Sequence, residues 1–319
     1  MKLDKEIIFE FLSENGRCKS DDSINYECIY KDDREIYRVS CNHLNYVYKT
    51  IGSNRKSVDE FEIEFKLMTD IWDLSEGKIS MPQPLFLIEN RGFLMTECLG
   101  LTFKEIYYSS LLNFSQRKKV KNKIEMVGKW LGSFHSLTLN KISYIDLYSN
   151  RRKNLIRMID SINSKADITV ISIMKKVVDS IDNVNTADEI EVAQLHGNFA
   201  LRNMIVDSHH VSLIDFEDSK KDCIYYDLGM FVAELMNKSI LLFNTVYNNH
   251  LIKAFIQSYS SHVRIDKNIL NSYILYHLIS SYYDVVNREK PISHLKSIFL
   301  YYKTNYNLRL IKDVLKSIS

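Results

Sequence analysis

Along the first hundred residues, apolar and polar positions alternate on a short period. Segments 25–30, 35–40 and 44–50 are rich in Tyr, Ile and Val and are separated by polar turns. That pattern predicts three β-strands. From Ser57 the period lengthens: Phe61, Phe65, Met68 and Trp72 recur at helical spacing, which predicts one helix over 57–72. Met81-Pro82-Gln83-Pro84 ends it, and 85–89 and 93–98 read as a β-pair turning at Asn90-Arg91-Gly92. Beyond Gly100 the pattern is helical almost to the end. Ile124, Val127, Leu131, Phe134 and Leu137 share one apolar face, and Gly128 and Gly132 would let a neighbour approach that helix closely. One interruption spans 194–217, where 204–206 and 211–214 form short β-like runs around a polar turn at 207–210. The expected architecture is α+β, with a small β-rich lobe over 1–99 and a larger helical lobe over 100–319 that carries the hairpin 195–218.

Composition narrows the class. The 319 residues hold 9 Gly and 3 Pro against 20 Tyr and 15 Phe, which excludes collagen-like, low-complexity and linker-rich chains. Lys plus Arg number 42 and Asp plus Glu 40, a net charge of +2. A dedicated nucleic-acid binder would carry a larger or more segregated basic excess, so no nucleic acid is expected as a partner. The clusters Arg117-Lys118-Lys119 with Lys121 and Lys123, and Arg151-Arg152-Lys153, read as solvated helix surface. The five cysteines are odd in number and widely spaced, so neither a disulfide framework nor a zinc knuckle is expected. Met1 to Glu6 carries charges of both signs, and no apolar run approaches the ~20 residues of a membrane span. The expected compartment is the cytoplasm, without membrane association.

One segment carries chemistry. Residues 195–218 contain His196-Gly197-Asn198, then Asn203 five residues on, then a hairpin ending in Ile214-Asp215-Phe216-Glu217. Tyr226-Asp227-Leu228-Gly229 follows. In order and spacing these elements resemble the catalytic segment of the aminoglycoside phosphotransferase and choline kinase-like family. The resemblance implies a bilobal protein kinase-like fold. It also implies ATP-dependent transfer of phosphate to the hydroxyl of a small molecule. Phosphoryl transfer asks a protein mainly for positioning and charge neutralisation. The resemblance implies that Asn203 and Asp215 hold Mg²⁺, a hard cation that takes oxygen ligands. Twelve residues apart across a tight hairpin, the two can lie side by side. The alternative is that both simply cap or turn the hairpin.

The same resemblance extends into the N-terminal lobe. Asn45-Tyr46-Val47-Tyr48-Lys49 looks like the strand whose lysine contacts nucleotide phosphates, although a lysine ending an apolar strand can equally be an exposed edge residue. Its expected partner is a glutamate on the following helix, Glu64, with Glu60 as rival. Leu94 to Gly100 resembles the hinge between lobes, where the backbone of Glu97, Cys98 and Leu99 would meet adenine. Asp227 reads as a helix N-cap or as a brace behind the catalytic loop. His196 reads as a loop-fixing residue and His135 as a hydrogen-bonded core histidine.

Two departures from the family pattern bear on activity. Asn198 stands where the family has its catalytic aspartate, and a neutral amide cannot act as a base. No glycine occurs from 17 to 51, the stretch that should hold the phosphate-covering loop near Lys31-Asp32-Asp33-Arg34. The two aspartates would repel a nucleotide unless turned away, and Arg34 would compensate. Two functional readings therefore stand: a small-molecule kinase, or a pseudokinase, a regulatory module that binds nucleotide or another ligand without efficient transfer and could take a protein partner. For the acceptor, Glu234, Tyr259, Tyr282 and Tyr283 offer contacts to a cationic amine, against the simpler reading of tyrosines as helix packing.

Overall fold

The computed structural model describes residues 2–19, 23–31, 34–41, 43–51, 58–113, 115–162, 168–184, 189–238, 245–286 and 309–314. Asp32, Asp33 and Ser57, named above, lie outside them. In chain order the elements begin with α1 (Lys2–Glu14), β1 (Asn25–Lys31), β2 (Arg34–Cys41), β3 (Leu44–Ile51) and α2 (Val58–Ser75). Next come β4 (Pro84–Ile88), β5 (Gly92–Thr96), β6 (Leu101–Thr102), α3 (Phe103–Leu112), α4 (Gln116–Leu137) and β7 (Asn140–Ser143). They continue with α5 (Tyr144–Ile162), α6 (Ile168–Val184), β8 (Glu189–Leu195), a 3₁₀ turn at Leu201–Asn203, β9 (Met204–Val206) and β10 (Val211–Leu213). The last are β11 (Lys220–Cys223), α7 (Tyr225–Asn237), α8 (Thr245–Tyr259) and α9 (Lys267–Val286). The chain clusters into two units, 1–103 with 202–219, and 104–201 with 220–319.

The first unit is built on an antiparallel sheet in the order β1-β2-β3-β5-β4. Period-two alternation sorts its residues between two faces. Tyr37, Val39 and Cys41 of β2 and Tyr46 and Tyr48 of β3 are buried in one apolar cluster with Ile8 and Leu12 of α1. The intervening residues, Arg34, Ile36, Arg38 and Ser40 of β2 with Asn45, Val47 and Lys49 of β3, line a cavity instead. The alternating sequence predicts the strands but only one helix in this region. The second, α1, exists because Ile8 and Leu12 recur at helical spacing and find the Tyr-rich sheet face to cover. That packing also brings together cysteines distant in sequence. Cys18 and Cys41 are disulfide-bonded, with Cα atoms 6.1 Å apart, contrary to the reading from their spacing. A short sheet in the order β10-β9-β6 completes the unit.

In α2 the buried residues include Phe61, Glu64, Met68, Ile71 and Ser75, whereas Phe65 and Trp72 are half-buried. The buried stripe is thus turned from the one the aromatic residues suggest, and Glu64 lies on it. Phe61 and Phe65 pack against the Phe93 ring of β5.

The second unit is mainly helical, with α4 packed on α8 and α7 on α9. A Cβ at Gly128 would lie 2.5 Å from the Phe255 carbonyl oxygen, and one at Gly132 would lie 2.9 Å from His262 Cβ. Only glycine permits that approach between α4 and the region of α8. This unit also contains a sheet, β11-β8-β7, where helix was expected almost throughout. In β8, Ile190, Val192, Ala193 and Leu195 are buried between flanking strands, a requirement that outweighs the helical character of the surrounding sequence.

Candidate functional site

The cavity in the first unit has a volume of about 810 Å³. Its walls come from β1 to β3, from 95–100 and from 202–215, and include Lys49, Glu97, Cys98, Leu99, Asn203 and Asp215. At its charged end, Lys49 Nζ lies 2.6 Å from Glu64 Oε2 and 3.0 Å from Asp215 Oδ1. Lys49 and Glu64 are both buried, while Glu60 is exposed, which settles the choice of partner for Lys49. The Phe216 N–H donates to Glu64 Oε1 at 3.1 Å, so a single carboxylate fixes both the lysine and the backbone beside Asp215.

Asn203 and Asp215 are joined through the main chain, the Ile214 N–H donating to the Asn203 carbonyl at 3.0 Å. Asp215 has φ = +71°, in the left-handed region that a non-glycine residue seldom occupies. Such strain persists where the surroundings over-determine it. Here the surroundings are cationic. Arg34 Nη1 and Nη2 donate to the two oxygens of Asp215 at 2.9 and 3.2 Å, and Nη1 also pairs with Glu217. Burial pushes the Asp215 carboxyl up, but Lys49 and Arg34 outweigh burial and hold it below the usual carboxylate range. For Glu64 burial prevails, and its carboxyl lies above that range despite Lys49.

At the other end of the cavity, the Glu97 N–H donates to the Asn45 carbonyl at 3.2 Å and the Glu97 carboxylate holds Arg38 Nε at 2.6 Å. Burial pushes the Cys98 thiol up to about 11, which keeps it protonated at neutral pH. Apolar Ile29, Val47, Met95, Leu99 and Ile205 along the wall suit a planar heterocycle, and a cluster of lysine, amide and carboxylate suits phosphate with a divalent cation.

Asn198 belongs to the second unit, in the loop after β8, where it is half-buried. This loop is braced from beneath. Fully buried Asp227 accepts the N–H groups of His196 and Gly197 at 2.8 and 3.0 Å, and it lies 3.3 Å from His135 Nε2. His135 Nδ1 lies 2.9 Å from the Tyr259 hydroxyl. Burial opposes the Asp227 charge, but His135 and the backbone amides lower its carboxyl below the usual range. Because α7 starts at Tyr225, Asp227 lies in its first turn and braces the loop instead of capping the helix. Glu234 also faces the loop and accepts the Leu201 N–H at 2.8 Å. Tyr259 and Tyr282 are buried, so packing explains them better than an acceptor site does.

The sequence motif includes Glu217 without a role, and it casts Arg34 only as compensating for Asp32 and Asp33. The acidic run after Ile214 signals Glu217, but nothing local indicates that Arg34 reaches it and Asp215, 183 and 181 positions later.

The model of the phosphotransferase enzyme family, APH, matches residues 37–260. Among solved structures, the chain is similar to a Ralstonia eutropha protein assigned to the aminoglycoside phosphotransferases. Identity is 13%, coverage 97% of this chain and 98% of that one, and the TM-score 0.67. It is also similar to a glucosamine kinase in complex with glucosamine, ADP and inorganic phosphate, at 10% identity, 96% and 82% coverage and a TM-score of 0.64. A third likeness is to an amicoumacin kinase in complex with AMP-PNP, Ca²⁺ and Ami, at 11% identity, 89% and 88% coverage and a TM-score of 0.60. No curated protein matches the sequence. At these identities the structural likeness shows the fold, which is kinase-like. Among the described residues, no helix is long and apolar enough to cross a membrane.

Proposed function

The chain belongs to the phosphotransferase enzyme family, and on that premise we propose that it transfers phosphate from ATP to the hydroxyl of a small molecule. The observation that carries this reading is the Lys49–Glu64 ion pair, set 3.0 Å from Asp215 at one end of a cavity whose other end is Glu97 to Leu99. A chain relieved of nucleotide binding would have little reason to bury a lysine and a glutamate together, because removing two charges from water is expensive.

In this reading the backbone of Glu97 to Leu99 meets adenine, and Lys49, held by Glu64, meets the phosphates. Asn203 and Asp215 supply the oxygen ligands for Mg²⁺, which fits a hard cation and adjacent amide and carboxylate donors on one cavity wall. A divalent cation held by these two side chains would supply positive charge to the phosphates. The Asn198 side-chain oxygen accepts a hydrogen bond from the acceptor hydroxyl and orients it, without removing its proton.

Asn198 also favours the second reading, a pseudokinase that binds nucleotide without efficient transfer. One experiment separates the two. Mg-ATP at millimolar concentration is expected to raise the melting temperature, and no rise would sink both readings. Phosphate transfer is then followed over amino-alcohols, sugars and aminoglycosides for the natural chain and for Asn198→Asp. The kinase reading expects measurable transfer by the natural chain and a gain of about 10²–10⁴-fold in the variant, the usual worth of a general base. Transfer by the variant alone would establish the pseudokinase for that panel.

A further inference from the structure

The charged end of the cavity already holds a cation that belongs to the protein. Arg34 projects there by the register of β2, two residues before Ile36, whose partner across the sheet is Lys49. Its guanidinium engages both oxygens of Asp215 and also Glu217, and it lies 5.8 Å from the Tyr30 ring centroid. Glu64, Asp215 and Glu217 thus face Lys49 and Arg34, three carboxylates against two cations.

We infer that Arg34 is a transferable counter-ion: it pairs with Asp215 and Glu217, and it passes to the nucleotide phosphates when nucleotide and metal arrive. The inference rests on the nucleotide-site reading above. Three observations carry it. First, Asp215 cannot present both oxygens to a guanidinium fork and also take a divalent cation, since the two positive groups would repel across a few ångströms. Second, a guanidinium matches phosphate as well as carboxylate, in the same planar two-point geometry, so it has a second partner of equal kind. Third, the 17–51 stretch without glycine offers phosphates no amide cradle of the usual freedom. A strand-borne arginine on the cavity wall supplies that positive charge instead. Arg34 is therefore a positioning residue for nucleotide and a gate on the metal site, so that metal binds strongly only with nucleotide.

Arg34→Gln tests both halves with two probes used separately. Mn²⁺ without nucleotide is followed by electron paramagnetic resonance, and ATP in EDTA by calorimetry. Freed of the guanidinium, the carboxylates of the variant should bind Mn²⁺ about tenfold more tightly, while ATP should bind about tenfold more weakly, the usual scale for a charge-assisted hydrogen bond. Effects of opposite sign cannot come from misfolding, which would weaken both. Arg34→Lys keeps the charge without the fork and should fall between the natural chain and Arg34→Gln on both measures. Unchanged or weaker Mn²⁺ binding in Arg34→Gln overturns the gate, and unchanged ATP binding overturns the transfer to phosphate. Lys49→Ala separates these outcomes from failure of the underlying reading. If ATP binding falls in Lys49→Ala but not in Arg34→Gln, only the inference about Arg34 is lost. If the natural chain binds no ATP, or Lys49→Ala binds it equally well, both fall together.

Discussion

Half-buried Asp215 and fully buried Asp227 are two aspartates treated in opposite ways. Asp215 sits in the first unit, left-handed at φ = +71°, with lysine and arginine partners on long flexible side chains. Asp227 sits in the second unit, in a regular first helical turn, and its partners are two backbone amides and a fully buried histidine ring. Both carboxyls are held below the usual range. The difference lies in whether the partners can leave. Amides of a packed loop have nowhere else to go, whereas a lysine and an arginine beside a cavity can be recruited by an incoming phosphate. The comparison separates a charge that holds structure from a charge kept available for exchange.

The largest expected effect tests the structural member. Asp227→Asn should cost about 3 kcal/mol of stability near neutral pH, because one amide oxygen cannot replace a carboxylate that serves two N–H groups and a histidine. The pH dependence follows from the lowered carboxyl. Above the ordinary carboxylate range, Asp227 is charged in folded and unfolded chains, and its interactions contribute fully. As pH falls below that range, the unfolded chain takes up a proton first, and the contribution is lost as pH passes through the lower folded value. Urea unfolding at stepped pH should therefore show the natural chain and the variant converging in acid. A constant gap from neutral to acid pH would mean that the Asp227 charge is not what braces the loop.

A smaller effect is expected from the exchangeable cluster. Glu64→Gln should leave stability within about 1 kcal/mol of the natural chain, since burial of the Glu64 charge is itself costly and Lys49 retains Asp215 at 3.0 Å. The sign agrees with the raised carboxyl. A group that binds its proton more readily when folded adds stability as pH falls, not at neutrality. The rise in melting temperature with Mg-ATP should nevertheless shrink, because Lys49 is no longer pinned. If Glu64→Gln destabilises the chain as much as Asp227→Asn does, the distinction between the two regions disappears.

What the sequence made legible follows the same division. The motif from His196 to Glu217 points to the family and to its kinase-like fold, because a phosphoryl-transfer site needs particular residue types at fixed spacings. The pairing of Lys49 with a glutamate followed from the resemblance and left Glu64 and Glu60 both open; the buried contact with Glu64 decides between them. Local pattern does not reach contacts made across long separations. The Arg34 fork on Asp215 and Glu217 depends on a hairpin from the second half of the chain meeting the first residue of β2. The Cys18–Cys41 bond depends on α1 folding over the sheet. The strand β8 was hidden for a related reason: a strand between two others is specified by its partners more than by itself.

The smallest effect probes how far the brace extends. Tyr259 is buried, its hydroxyl lies 2.9 Å from His135 Nδ1, and burial raises its phenol well above the ordinary value, so it stays neutral. Tyr259→Phe removes that single hydrogen bond and should cost about 1 kcal/mol, read as a shift of the urea midpoint without change of slope. Because His135 keeps its contact with Asp227, the convergence in acid should persist in this variant with the same shape. Should the convergence vanish along with the hydroxyl, the brace reaches from α8 through α4 to the loop as one coupled unit.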